Sequence, residues 1–156
     1  MKTHYWTRSK LAKTQGGMAV TSLLTPVLAL IVLTLLVWIW MYATRIPAMR
    51  EAGIKPQDAK LPGSLNKLPA SVRQVADNYN HLLEQPTIFY AIVFYIVLAG
   101  HTDGLHIYLA WAYVVLRVVH TLIQCTVNIV NLRFLVFTLS TLVLMAMAAR
   151  EVVAVI

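Results

Sequence analysis

The chain has 156 residues, 59% of them hydrophobic and 12% charged, with a formal net charge of +7. Together with a mean hydropathy of +0.69, this excludes an ordinary soluble domain and indicates an integral membrane protein. The positive charge does not mark a nucleic-acid binder: the basic residues lie in short flanks and loops around long apolar runs, where anionic lipid headgroups are the matching partner. Cys125 is the single cysteine, so there is no intramolecular disulfide framework and no zinc-type spacing.

Met1 to Gln15 carries Lys2, Arg8, Lys10 and Lys13 around Tyr5 and Trp6, a pattern suited to a segment lying among headgroups. The apolar run that follows is longer than the roughly 7 to 15 residues of a signal peptide and reaches the roughly 20 needed to span a bilayer. It predicts a retained first span over residues 19–43, with Pro26 near its start and Trp38, Trp40 and Tyr42 as an interfacial belt at its far end. Residues 45–70 hold Pro47, Gly53, Pro56, Pro62, Gly63 and Pro69 among charges and read as the main loop. Ser71 with Gln74 has the form of a capping box, which predicts a helix start there.

That helix carries the polar run Asp77-Asn78-Tyr79-Asn80-His81-Leu82-Leu83-Glu84-Gln85-Pro86, in which Asp77, Asn80 and Glu84 share one face at i, i+3 and i+7. The apolar stretch from Thr87 to Gly100 is only about 21 Å long, too short for a hydrocarbon core of roughly 30 Å. The second span therefore reaches back to about residue 81, over 81–100, which brings Glu84 to the membrane boundary beside an expected kink at Pro86. His101 to His106 reads as a tight turn of solvated residues. Its two histidines lack the helical i, i+4 spacing of a metal site, and no metal is expected. The third span, 105–130, carries Tyr113, Arg117, His120, Gln124 and Asn128 in one stripe that Asn131 continues, with Cys125 offset from it as a buried thiol. The fourth covers 134–152. The whole chain, 1–156, thus reads as one all-α membrane domain, a four-helix bundle.

Counted from the short turn, Glu84 lies roughly 24 Å back and Arg117 roughly 20 Å forward, at similar depth. An arginine near the centre of a span costs about 2.5 to 3.5 kcal/mol on insertion scales, so a carboxylate at the same level is its natural offset. The expectation is that Glu84 faces Arg117 and His120, that Asn80 meets Gln124, and that Asp77 approaches Asn128, Asn131 and Arg133. Two such stripes form either a packing seam of interhelical hydrogen bonds or a ligand cavity.

In length, in its four spans with a long first loop and a short second turn, in the Glu-then-Pro opening of the second span and in the arginine of the third, the chain resembles the MAPEG family (membrane-associated proteins in eicosanoid and glutathione metabolism) over nearly its whole length. The run His81-Leu82-Leu83-Glu84-Gln85-Pro86-Thr87-Ile88-Phe89-Tyr90 is similar to the opening of the second helix in bacterial members. The resemblance implies a homotrimer of four-helix bundles in a membrane, the bacterial inner membrane for such members, with glutathione bound between subunits near the cytosolic face. It implies Glu84 and Arg117 as glutathione-binding residues, Asn80 approximately so, with His120, Gln124 and Asn128 along the same stripe. Asp77 stands where the family has an arginine, and His120 and Gln124 stand where it has tyrosines.

Two functions follow as expectations. One is a glutathione-dependent transferase or peroxidase acting on lipophilic electrophiles that arrive from the bilayer. The other is a non-catalytic membrane protein whose polar seam serves oligomer assembly or binds another polar ligand or a lipid headgroup. Six basic residues in the first loop region (Arg45, Arg50, Lys55, Lys60, Lys67 and Arg73) against four before the first span favour a cytoplasmic first loop.

Overall fold

The computed structural model describes residues 3–61 and 63–156, with side-chain surroundings from residue 17 onward. The headgroup contacts expected of Lys2, Tyr5, Trp6, Arg8, Lys10 and Lys13 lie outside the described residues. Four helices make up the fold: α1 (Thr3–Glu51), α2 (Ala70–Ala99), α3 (Gly104–Cys125) and α4 (Val130–Val155), with a short 3-10 turn at Pro56–Lys60 between the first two. All four contain stretches long and apolar enough to cross a membrane.

Each helix turns a heptad-like stripe inward. Leu23, Val27, Leu30, Val37 and Met41 of α1 pack with Val75, Leu82, Phe89, Val93 and Ile96 of α2 and with Ala110, Tyr113 and Val114 of α3. Phe89 and Tyr113 stack with ring centroids 4.5 Å apart. α1 lies against α2 and α3, and α4 against α3 and α2, whereas α1 and α4 make no contact among the described residues. The outward faces carry Leu28, Leu35, Leu36, Ile39, Leu98, Leu122 and Leu135, all exposed, which suits lipid as the surrounding solvent.

α1 continues past the expected end of the first span through Pro47 to Glu51, so the loop begins later than the proline and glycine pattern suggested. The physical reason is burial: Ala48, on the last turns of α1, packs with Leu68 and Val72 in a small second core. Gly53, at φ 66°, then closes the helix. Its N–H reaches the Arg50 carbonyl (3.1 Å) and that of Ile54 the Met49 carbonyl (2.9 Å), the paired bonds of a Schellman ending. Gly100, at φ 76°, ends α2 in the same way through the Val97 and Ile96 carbonyls.

Ser71 and Gln74 do not form the expected capping box. Pro69 is the N-cap of α2 and no side chain caps it. Gln74 instead donates from Nε2 to the carbonyl oxygens of Cys125 (3.1 Å) and Thr126 (3.3 Å), covering the open end of α3. α3 stops at Cys125 rather than at residue 130. The chain turns through Asn128 at φ 48°, the left-handed region, which asparagine tolerates better than most residues other than glycine. Pro86 lies within an uninterrupted α2.

The second turn is not the solvated segment its composition suggested. Asp103 caps α3 by accepting from the His106 amide (2.8 Å) and pairs with Arg150 of α4 (2.5 Å). Glu151, only 4% exposed, lies with Oε2 2.7 Å from His101 Nδ1 and Oε1 3.2 Å from His106 Nε2. The turn is thereby fastened to the end of α4. The hydrogen bond from the His106 amide holds the Asp103 carboxyl below the usual carboxylate range; burial, second in size, opposes it, and the His106 ring and the Arg150 guanidinium add smaller lowering effects.

Candidate functional site

The polar stripe of α3 points inward over most of its length. Tyr113, Arg117, His120 and Gln124 are all at most 1% exposed. Asn128 is not on this stripe, because it follows the end of the helix; its Oδ1 accepts from Arg133 Nη1 at 2.7 Å.

What meets this stripe differs from expectation. Arg117 makes no ion pair with Glu84. Its Nη2 donates to the His81 carbonyl oxygen (3.0 Å), its guanidinium carbon lies 5.7 Å from the Phe137 ring centre, and its Nε and Nη1 have no partner. Glu84 is exposed, as are Asp77 and Asn80. The reason is rotational. The apolar residues of α2 that enter the core are Val75, Leu82, Phe89, Val93 and Ile96, and this heptad places Asn78 and Gln85 inside while turning the Asp77, Asn80 and Glu84 face away.

Four polar residues of α2 and α4 that the earlier pattern passed over therefore complete the seam. Asn78, fully buried, faces Thr121, its Nδ2 3.3 Å from Thr121 Oγ1. Gln85 donates to Thr141 Oγ1 (2.6 Å) and accepts from Tyr113 Oη (3.3 Å) and Ser140 Oγ (3.4 Å), so a single amide joins α2, α3 and α4. Continuing the Val93–Phe89 spacing backward through Pro86 was the available signal for Asn78 and Gln85. Thr141 and Ser140 gave no such signal in the largely apolar middle of α4.

The outward face is not featureless. Asp77, Asn80, His81, Glu84, Gln124 and Arg133 line a polar cleft of about 240 Å³. Asn80 and Gln124 thus share one cavity, as do Asp77 and Arg133. Beside it, His81, His120, Val130, Arg133, Phe134 and Phe137 line a second cleft of about 190 Å³, so His81 and Arg133 form the wall between the two. His81 and His120 stack at 5.9 Å with an interplanar angle of 21°. Around this wall sit buried polar atoms without partners: His81 Nδ1, His120 Nδ1 and Gln124 Oε1, besides the two nitrogens of Arg117. Buried polar groups without partners are uncommon in a packed interior. Among the described residues no cluster of three or more His, Cys, Asp or Glu side chains is arranged to hold a metal ion.

No curated protein and no solved structure matches the chain significantly. The model of the MAPEG family matches residues 23–153, from the start of the inward stripe of α1 to the last turn of α4. That match spans the seam, both clefts and all four apolar helices, and it establishes that this membrane protein belongs to the MAPEG family.

Proposed function

We propose that the cleft lined by Asp77, Asn80, Glu84, Gln124 and Arg133 binds glutathione and that the protein is a membrane transferase or peroxidase for lipophilic electrophiles. The observation that carries this reading is the unpartnered Gln124 Oε1, on a side chain 1% exposed, lining a cleft that holds carboxylates and a guanidinium together. A zwitterion with one ammonium and two carboxylates fits such mixed lining. Asp77, Glu84 and Gln124 Oε1 accept from the ammonium and Arg133 donates to a carboxylate, so Asp77 in place of a family arginine suits the amino end of the ligand. Arg117, whose Nη2 donates to the His81 carbonyl oxygen, has two further nitrogens without a partner that suit a second carboxylate.

When bound, glutathione supplies the sulfur nucleophile: a C–S bond forms at the electrophile as its leaving group departs with the bonding pair. The protein positions the tripeptide through these side chains, and the adjoining cleft of Phe134 and Phe137 offers apolar surface for the second substrate. We place the active unit in a homotrimer with the first loop cytoplasmic, as the family resemblance and the distribution of basic residues suggest.

Isothermal titration of the detergent-purified protein with glutathione, paired with an ultraviolet scan for thiolate, is the test. Binding that weakens at least tenfold in Glu84→Ala and Gln124→Leu supports the proposal; no binding at millimolar thiol removes it. The alternative, a seam with a purely structural role, draws on the Gln85 junction, whose bonds all fall within one protomer. It requires that seam substitutions alter stability and leave ligand binding absent throughout.

A further inference from the structure

Where the α2–α3 turn meets the end of α4, charged and titratable side chains gather that the thiol reading does not use. His101 and Asp103 come from the turn, His106 from α3, and Arg150 and Glu151 from α4. From α2, Tyr95 shares with Glu151 an apolar cleft of about 410 Å³. Arg150 pairs with Asp103. Glu151, 4% exposed, has no lysine or arginine partner among the described residues, and both its oxygens face histidine nitrogens. A buried carboxylate without a countercharge is costly, so a proton on this group of side chains is what balances it.

The contacts of His106 locate that proton. Its Nδ1 lies 3.1 Å from the His101 carbonyl oxygen and 3.1 Å from Asp103 Oδ1. A carbonyl and an ionised carboxylate only accept, so Nδ1 carries a hydrogen. Nε2 lies 3.2 Å from Arg150 Nε, which only donates, and 3.2 Å from Glu151 Oε1. A neutral ring with its hydrogen on Nδ1 has a lone pair at Nε2, which suits Arg150 but opposes an ionised Glu151. The contact with Glu151 is attractive only with a proton between the two atoms, on the ring or on the carboxyl. Arg150 can release Nε2 without losing its own partner, because its Nη2 bonds Asp103 Oδ2.

We propose that a proton held between His106 Nε2 and Glu151 Oε1 locks the α2–α3 turn onto the end of α4, and that the lock opens as rising pH draws this proton into water. The way out is present: Glu151 Oε2 lies 2.7 Å from Nδ1 of His101, whose side chain is 37% exposed. The closed junction holds one proton more than the open one, so it is favoured at lower pH and weakens as pH rises. Glu151 also lines a polar cavity of about 670 Å³ with His101, Asp103, His106 and Arg150, so the lock stands at the partition between this cavity and the apolar cleft.

The test is hydrogen exchange of the full-length, detergent-purified protein at residues 100–106, from about pH 5 to about pH 8, where histidine charge changes ordinarily fall. Corrected for the intrinsic pH dependence of exchange, protection in wild type is expected to fall with rising pH by up to about tenfold per pH unit, the slope of one proton. Glu151→Gln, whose amide donates to Nε2 at every pH, is expected to stay protected with no such slope, and His106→Gln also removes the slope. His101→Asn and Asp103→Asn, which leave the His106–Glu151 contact in place, keep it. Protection in wild type that does not change over this range overturns the proposal. So does a slope that persists in Glu151→Gln, or one that vanishes in His101→Asn and survives in His106→Gln. Glu151→Gln differs from wild type by one polar group of equal size, so the comparison stands even where His106→Gln folds poorly.

Discussion

Arg117 is a fully buried cation held by one carbonyl oxygen and an aromatic face. Such a group contributes little to stability, and an apolar replacement of similar length is commonly neutral or stabilising by about 1 to 4 kcal/mol. Arg117→Met is therefore expected to leave the melting temperature unchanged or higher while weakening glutathione binding at least tenfold; melting curves and calorimetry on the same preparation check both halves. Gln85 presents the opposite case. Its three hydrogen bonds join three helices, and at about 0.6 kcal/mol for a typical interhelical bond in a membrane, Gln85→Leu should destabilise the bundle by roughly 1 to 2 kcal/mol, measurable by denaturation in mixed micelles. The burial of Arg117, His120 and Gln124 was legible because offsets of three and four keep them on one stripe of α3. Asn78 and Gln85 were obscured by their charged neighbours: α2 has polar groups on two adjacent faces, and only the apolar heptad beyond Pro86 decides which one enters the core.

At the level of helices and their ends, local signals were outweighed by tertiary contacts. The Ser71 and Gln74 pair matched a capping pattern, yet Gln74 reaches across to the Cys125 and Thr126 carbonyls. The end of α3 lacked glycine or proline in sequence, because its stop relies on Asn128 in the left-handed region and on that distant glutamine. The His101 to His106 turn looked hydrophilic and solvated because its partners, Arg150 and Glu151, lie more than forty residues away. This junction yields a pH prediction. Asp103 is held below the ordinary carboxylate range, so its contribution is present above the unfolded value of about 3.9 and is lost as pH falls through the lower folded value. Acid below about pH 4 should loosen the turn in wild type, and Asp103→Asn, which keeps a capping side chain, should remove most of that acid step in hydrogen exchange at the start of α3. Asp103→Ala should also lose the cap, about 1 kcal/mol.

Across the whole molecule, the architecture was largely legible: four apolar segments, one long connection and two short ones followed from hydropathy and turn residues, while the extension of α1 to Glu51 depended on packing against Leu68 and Val72. Most of the apolar surface faces outward, and α1 and α4 do not touch among the described residues. Lipid can cover that surface, and so can neighbouring copies; mass determination in mild detergent is expected to give three chains, with a monomeric mass opposing that assembly. The link between the turn and α4 has a further bearing on how the protein is made. Ribosomal order delivers His101 and His106 well before Glu151, so the turn emerges without the carboxylate that later fastens it. The loop joining α2 to α3 therefore becomes fixed only after α4 has inserted, and chains released before Arg150 and Glu151 should present an open, protease-sensitive turn at the membrane surface.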